Sequence, residues 1–313
     1  MRITAFDRNQ NFDHERFAAP KAIDRGAPFW SWNGSLEKDR LLHQLEVFRQ
    51  MGLGGAHMHP RTGMATTYMS DEFLSLIEAC VEYAESHGMH AWLYDEDRWP
   101  SGFAGGLATA EERYRTRHLR FTWAAIPPGE ERPTPTHHGS PLPLSDRRFI
   151  AAWSLEFADD FLESFRRVGE SEAAGDNEVV LYSYLEVPPT WTWFNNTQYV
   201  DTLNPEAMRR FIEVTHERYF DRVGSRFGSV APAIFTDEPL FRGMDLPATS
   251  ADHRDCFVSW TEDLAESYGV AYGEDLLDVL PRILFDAKDG SHVRSRWRFH
   301  NHHTDRFVQA FAA

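Results

Sequence analysis

Strand-like and helix-like periodicities alternate along the opening part of the chain. Residues 28–33 (PFWSWN) have the character of a short strand. A helical stripe of Leu41, Leu42, Leu45 and Phe48 follows, with Ser35 as its expected cap and Gly52 as its stop. Residues 54–59 (GGAHMH) read as a second strand. Ser70, Asp71 and Glu72 open a second helix, whose stripe is Phe73, Ile77, Cys80 and Ala84 and which ends at Gly88. Residues 89–94 predict a third strand and 106–118 a third helix. Strands and helices alternating over short connections imply βαβ units and a parallel sheet.

The alternation then breaks. Residues 119–126, 149–157, 161–168 and 178–185 are strand-like. A Pro/Gly/His-rich stretch at 127–146, read as loop, and an acidic one at 169–176 separate them. This predicts a small antiparallel β insertion. The parallel pattern resumes with a strand at 199–203, and Asn204-Pro205 supplies an N-cap and a proline at the first helical position. The stripe Met208, Phe211, Ile212, Thr215 and Tyr219 carries that helix to Gly224. Residues 230–236 predict a fifth parallel strand, and helices are expected at 254–268, 274–285 and from 294 onward.

The expected organisation is an N-terminal arm (1–26), a first barrel segment (27–118), a β-rich insertion (119–197) and a second barrel segment (198–313). Five parallel strands fall short of the eight of a closed barrel. The fold class expected is therefore α/β, of the (β/α)8 TIM-barrel type, incomplete at the C-terminus and carrying the β insertion. An open, doubly wound sheet is the other reading.

Composition narrows the function. The 313 residues are 42% hydrophobic, enough for a large core, and their net charge of -16 disfavours nucleic acid or an anionic membrane as partner. Cys80 and Cys256 make neither a disulfide framework nor a cysteine-rich metal site. No apolar leader or membrane-length run is read, so a cytoplasmic location is expected. An aromatic content of 14% suits a carbohydrate cleft, where rings serve as stacking platforms, although core packing accounts for most such rings.

The candidate chemistry gathers at the ends of the predicted parallel strands, which converge on one mouth. Trp30, Trp32 and Asn33 close the first, and His57, His59 and Arg61 the second. The third, containing Tyr94, runs into Asp95-Glu96-Asp97, Arg98 and Trp99; Asp237 and Glu238 close the last. Three consecutive acids need an offset: Arg98, a bound cation or shared protons. The bland alternative is an acidic loop with Arg98 as a surface partner, against which Trp99, Pro100 and the glycines make the loop stiff and tightly turned. His57 and His59 face the same side of their strand, either as a metal pair or as one core and one ligand-contacting histidine. Glu238, held extended by Pro239 and shielded by Phe235, is a candidate general acid. Alternatively, Asp237 caps a turn and Glu238 is solvated. Carboxylates on different strand ends among tryptophans are the equipment of glycoside hydrolysis, so Glu238, Asp237 and Glu96 are the catalytic candidates.

The blocks PFWSWNG, GLGGAHMHPRTGM, MHAWLYDEDRWPSGFAGG, YVDTLNPEAMRRFIEVTHERY and IFTDEP resemble, in that order, the N-terminal barrel region of glycoside hydrolase family 106, the α-L-rhamnosidases. The resemblance spans residues 27–240. It implies a (β/α)8 catalytic domain, inverting hydrolysis of terminal α-L-rhamnosides, a calcium requirement and a carbohydrate substrate. By position Glu238 becomes the best acid candidate, and the loop of Asp95 to Asp97 a sugar or metal contact. Family members are longer, so an inactive or truncated carbohydrate-binding relative is the second hypothesis. A metal-dependent hydrolase built on His57 and His59 is the third.

Overall fold

The computed structural model describes residues 13–127, 129–130, 147–172 and 174–312. Its first part contains α1 (His14–Ala18), β1 (Phe29–Gly34), α2 (Lys38–Gln50), β2 (Gly55–Met64), α3 (Asp71–Ser86) and β3 (His90–Tyr94). Four strands follow: β4 (Arg117–Thr122), β5 (Arg147–Ala158), β6 (Phe161–Val168) and β7 (Glu178–Glu186). Then come α4 (Pro205–Val214), α5 (His216–Val223), β8 (Ile234–Phe235), β9 (Cys256–Trp260), α6 (Leu264–Tyr272), α7 (Leu280–Leu284) and α8 (Ser291–Phe311). The chain divides into two compact units, Met1–Ala108 with Arg209–Pro239 and Thr109–Met208 with Leu240–Ala313.

The first unit is built on a parallel sheet of order β1-β2-β3-β8. Period-two alternation sorts β1: Trp30 and Trp32 are buried, whereas Phe29, Ser31 and Asn33 are exposed. Trp30 donates from Nε1 to Gln44 of α2 at 2.7 Å and meets Phe48, while Trp32 packs edge-on against Phe73 of α3. Full burial of a large apolar side chain is worth roughly 1.5–3 kcal/mol, so the register that hides both indoles under the helices is strongly favoured. The α3 stripe Phe73, Ile77, Cys80 and Ala84 is buried as its spacing predicts, and Ser70 Oγ accepts the Phe73 N–H at 3.1 Å. β2 and β3 run so close that a Cβ on Gly55 would lie 2.1 Å from the His90 carbonyl oxygen.

The second unit is a five-stranded antiparallel sheet of order β6-β5-β7-β4-β9. One face buries Leu119, Phe121, Trp153, Leu155, Val258 and Trp260 in a single core with Leu264, Tyr268, Leu280, Ile283 and Phe299. The alternate positions of β4 are polar yet also buried: His118, Arg120 and Thr122.

Several expectations change. The parallel sheet has four strands among the described residues, so a (β/α)8 barrel is not completed. Residues 199–203 are not a strand; they tie to the approach to β4 through Thr116 N–H to Tyr199 O and Asp201 N–H to Tyr114 O, both 2.8 Å, and one isolated bridge. Residues 106–118 are not a helix, because Gly102, Gly105 and Gly106 all take positive φ and the segment turns instead. Of the predicted strand 230–236 only Ile234–Phe235 is regular, since Pro232 lacks an N–H for the ladder. Residues 256–260 (CFVSW), expected as the start of a helix, form strand β9; a short apolar run fits either period.

Three helix boundaries also move. The helix from Pro205 breaks at Thr215, where φ is -126° and ψ -77°. Ser35 lies ahead of α2, because Leu36 N–H is tied to Thr66 Oγ1 and keeps the chain extended to Glu37. Residues 240–312, expected in the second barrel segment, belong with the antiparallel sheet. Part of the N-terminal arm (1–12) and of the Pro-rich loop (128 and 131–146) lies outside the described residues. No helix among the described residues is long and apolar enough to cross a membrane.

Candidate active site

The loop after β3 resolves the problem of three consecutive acids in three different ways. Asp95 is fully buried and accepts hydrogen bonds of 2.5 Å from both Ser101 Oγ and Thr236 Oγ1. Burial pushes its pKa up to about 6, against the pull of those two hydroxyls. Glu96 is also fully buried, and four backbone N–H groups wrap it. Asp97 and Gly105 donate to Oε1 at 2.9 and 2.6 Å; Gly102 and Ala104 donate to Oε2 at 3.1 and 2.6 Å. Burial and the Asp97 charge push the Glu96 pKa up, while the amides act the other way. Asp97 pairs with Arg98, whose Nη2 lies 2.8 Å from Oδ2.

Glu96 therefore shapes the loop. With no exposure and both oxygens doubly hydrogen-bonded, it does not take the catalytic place expected of it. Gly105 stands at φ 61° with Tyr68 and Asp97 close to where a Cβ would be, so this turn favours glycine.

The end of β8 meets the loop through Ser101. Its hydroxyl donates to Asp95 Oδ1 and accepts the Asp237 N–H at 2.9 Å, while its own N–H donates to the Asp237 carbonyl at 2.9 Å. Asp237 is half-buried, and its Oδ2 accepts the Tyr94 hydroxyl at 3.2 Å. Glu238 is exposed rather than shielded, and its φ of 45° is left-handed rather than extended. Such a backbone costs energy in a non-glycine residue and recurs at functional sites. The Trp99 indole fixes the carboxylate, donating from Nε1 to Glu238 Oε2 at 2.8 Å. Trp99 itself is 41% exposed, so its ring remains accessible beside the carboxylate.

His57 and His59 share one face of the sheet, as their alternation predicts. The His57 ring stacks on Trp92 at 4.9 Å and the His59 ring on Tyr94 at 3.8 Å. Phe29 lies 5.1 and 5.0 Å from the two imidazoles, and Phe235 closes the same cluster. Burial lowers the pKa of both histidines, that of His59 to about 4, with the charge of Arg61 and the neighbouring His57 adding to the effect. Arg61 Nη1 lies 3.1 Å from His59 Nε2.

The structure thus brings together Tyr94, Asp95, Asp97, Arg98, Trp99, Asp237 and Glu238, with His57, His59 and Arg61 on the adjoining sheet face. Asn33 is exposed on the Phe29 side of β1. Trp30 and Trp32 depart from expectation: they point under the helices and are no walls of this site. The metal-pair reading of His57 and His59 finds no support in their surroundings. Each ring is stacked on an aromatic, and among the described residues no group of three or more His, Cys, Asp or Glu gathers to hold an ion. Calcium does not fit the acid loop either: Asp95 and Glu96 present their oxygens to hydroxyl and amide donors, and Asp97 to a guanidinium.

Sequence reasoning missed Ser101, Thr236, Phe29 and Trp92, and set Phe235 beside Glu238 rather than against the two histidines. The serine and threonine carry no periodic signal, but the three rings follow from strand alternation once His57 sets the face. It also missed a buried charge cluster in the second unit, where Glu186 accepts from His118 Nε2 at 2.9 Å, Arg120 Nε at 3.0 Å and Arg147 Nε at 2.9 Å.

A parallel sheet with acids at its strand ends, in one chain with a curved antiparallel sheet, defines a mixed α/β protein of rhamnosidase-like fold. The structure of a rhamnosidase from Novosphingobium sp. PP1Y is similar at a TM-score of 0.57 and 13% sequence identity, over 95% of this chain and 45% of that one. The chain thus spans less than half the length of that rhamnosidase, and the likeness is one of fold. No protein-family model matches the sequence, and no curated protein matches it.

Proposed function

We propose that the protein is carbohydrate-active, a glycoside hydrolase whose acid is Glu238. One observation carries the reading: an exposed carboxylate at a parallel strand's C-terminal end, on left-handed backbone, held by the indole N–H of an accessible tryptophan. Trp99 offers a face for a sugar ring next to the group that would protonate the leaving oxygen. Asp237, hydrogen-bonded to Tyr94, is the neighbouring carboxylate. The fold of the Novosphingobium enzyme supports the same class. The finer reading is hydrolysis of terminal α-L-rhamnosides with inversion at the anomeric carbon.

The test is turnover of a panel of aryl glycosides, α-L-rhamnoside among them, by this chain and its Glu238→Gln variant. Turnover abolished in the variant supports the assignment, and unchanged turnover removes it. The anomer released first, followed by NMR, decides inversion.

A second reading is a carbohydrate-binding protein without turnover. It is favoured by the occupancy of the mouth's acids: Asp95 and Glu96 are consumed by internal hydrogen bonds, which leaves Asp237 and Glu238 as the accessible pair. Sugar binding by folded protein with no hydrolysis of any glycoside would select it.

A further inference from the structure

The loop after β3 and the end of β8 are joined by an exchange that lies beyond the sheet itself. Parallel pairing of the two strands runs out at Tyr94 and Phe235, followed by Asp95 N–H to Phe235 O at 3.2 Å. Two residues further along β8, Ser101 holds Asp237 from both sides. Its hydroxyl oxygen accepts the Asp237 N–H, and its own N–H donates to the Asp237 carbonyl, each at 2.9 Å. The Asp237 N–H lies in the peptide plane before that residue and the carbonyl in the plane after it, so one serine fixes both. The second plane is the one from which Glu238 departs at φ 45°. Pro239 has no N–H, so the peptide after Glu238 has no amide donor with which to hold that conformation.

The exchange has a direction. Ser101 is fully buried, and its one hydroxyl hydrogen goes to Asp95 Oδ1 at 2.5 Å, which leaves an oxygen lone pair for the Asp237 N–H. A hydroxyl turned the other way would set donor against donor. Thr236 Oγ1 donates to the other oxygen, Asp95 Oδ2, at 2.5 Å. We infer that Ser101 is a positioning residue for Glu238: with Asp95 turning its hydroxyl, it fixes both peptide planes of Asp237 and so delivers the Glu238 carboxylate to the Trp99 indole. Residues 99 and 101 of one loop thereby hold Glu238 at both ends, the carboxylate directly and the backbone by way of Asp237. The consequence for turnover rests on the reading of Glu238 as the acid; the clamp itself does not.

The experiment uses the full chain labelled with ¹⁵N at neutral pH and reads the Trp99 indole ¹H–¹⁵N resonance, assigned by its loss in Trp99→Phe. Glu238→Ala gives the reference position of that resonance without the carboxylate. Ser101→Ala should move it toward this reference. Thr236→Val is the matched control, since it takes one donor from the same buried carboxylate and leaves Ser101 in place; its indole should stay at the native position. Ser101→Cys fills the site with a weaker donor and acceptor and should give a smaller shift in the same direction, which serves if Ser101→Ala does not fold. Amide spectra check folding throughout. A native indole position in folded Ser101→Ala or Ser101→Cys overturns the clamp, whatever the protein turns over. Equal shifts in Ser101→Ala and Thr236→Val assign the effect to Asp95 alone and overturn it too.

Kinetics on the turned-over aryl glycoside then reads the consequence. In Ser101→Ala kcat should fall about tenfold, the loss of one aligned hydrogen bond, with KM within about twofold. Thr236→Val should keep kcat within about twofold of the unmodified chain. A rise in KM at constant kcat overturns the positioning of the acid. Hydrolysis in Glu238→Gln is read separately. Turnover that survives there, with the indole still moved by Ser101→Ala, removes the catalytic reading of Glu238 and leaves the clamp, so the two failures are distinguished.

Discussion

The Trp99 indole donates to Glu238 across 139 positions of sequence, at 2.8 Å. The contact ties the acid loop after β3 to the residue that follows β8, and it constrains a carboxylate that is otherwise open to solvent. Trp99→Phe keeps the ring and removes the donor. If Glu238 is the acid, kcat for the turned-over glycoside should fall about tenfold, the loss of one aligned hydrogen bond, with KM within about twofold. An unchanged kcat would mean that the indole does not position Glu238.

Asp95 sets a pH dependence of stability with a definite sign. Its folded pKa of about 6 lies above the ordinary carboxylate value of 3.8, so the folded state holds the proton more tightly than the unfolded state. Below about pH 4 both states are protonated and nothing is lost. As pH rises through 6 the folded state must bury a charge, and stability falls by roughly 2–3 kcal/mol. Asp95→Asn should flatten that part of a urea-unfolding series measured from pH 4 to 7. A slope identical to that of the unmodified chain would assign the effect elsewhere.

Removing the Glu96 carboxylate orphans four backbone donors. Glu96→Ala is expected to cost about 3–5 kcal/mol in unfolding free energy and to loosen residues 97–106, seen as faster amide exchange there. Glu96→Gln turns one accepting oxygen into a donor facing two N–H groups and should recover little of the loss. Near-neutral effects of both would show that the loop holds without its buried carboxylate.

Gly55→Ala places a Cβ 2.1 Å from the His90 carbonyl oxygen, within backbone rather than a flexible side chain. The β2–β3 pairing must open, at a cost of more than about 2 kcal/mol. Gly169→Ala, where a Cβ meets nothing within 4 Å, is the matched control and should change stability by less than about 0.5 kcal/mol. Equal effects at both positions in thermal or urea melts would contradict the close approach.

In the second unit Glu186 is buried, and burial opposes its ionisation; His118, Arg120 and Arg147 overcome that and lower its pKa. The sign is the reverse of that for Asp95. The stabilisation is present above the ordinary carboxylate range and is lost as pH falls through the depressed value. Glu186→Gln removes the carboxylate shared by buried Arg120, which keeps Asp255, and by part-buried Arg147, and should cost about 3 kcal/mol at neutral pH. The cost should shrink toward acid pH, and a pH-independent cost would point to packing instead.

The βαβ opening was legible because its helices and strands carry complete periodic signals: the Phe73, Ile77, Cys80, Ala84 stripe and the His57, His59 alternation both reappear as read. What failed did so for local physical reasons. Residues 106–118 have a helical composition, but a buried carboxylate captures the preceding amides. CFVSW is too short for its period to be decided, and Pro232 is a single residue that cuts a predicted strand to two. At the site, types and rough positions were readable, but orientation was not. Trp30 and Trp32 looked like cleft walls until the pleat assigned them to the helices, and Glu96 looked like an acid until its four amide donors were seen.

The Glu96 loop is, in effect, a cast taken from one side chain. Residues 97, 102, 104 and 105 contribute only main-chain N–H to it, so their side chains are close to silent in the contact itself. The vocabulary of those positions is limited by geometry instead: glycine is favoured where φ is positive, and proline cannot be written at any of them without deleting a donor. For this contact alone, the grammar of residues 97, 102, 104 and 105 is one glutamate, glycine at the positive-φ turns and no proline at any of the four.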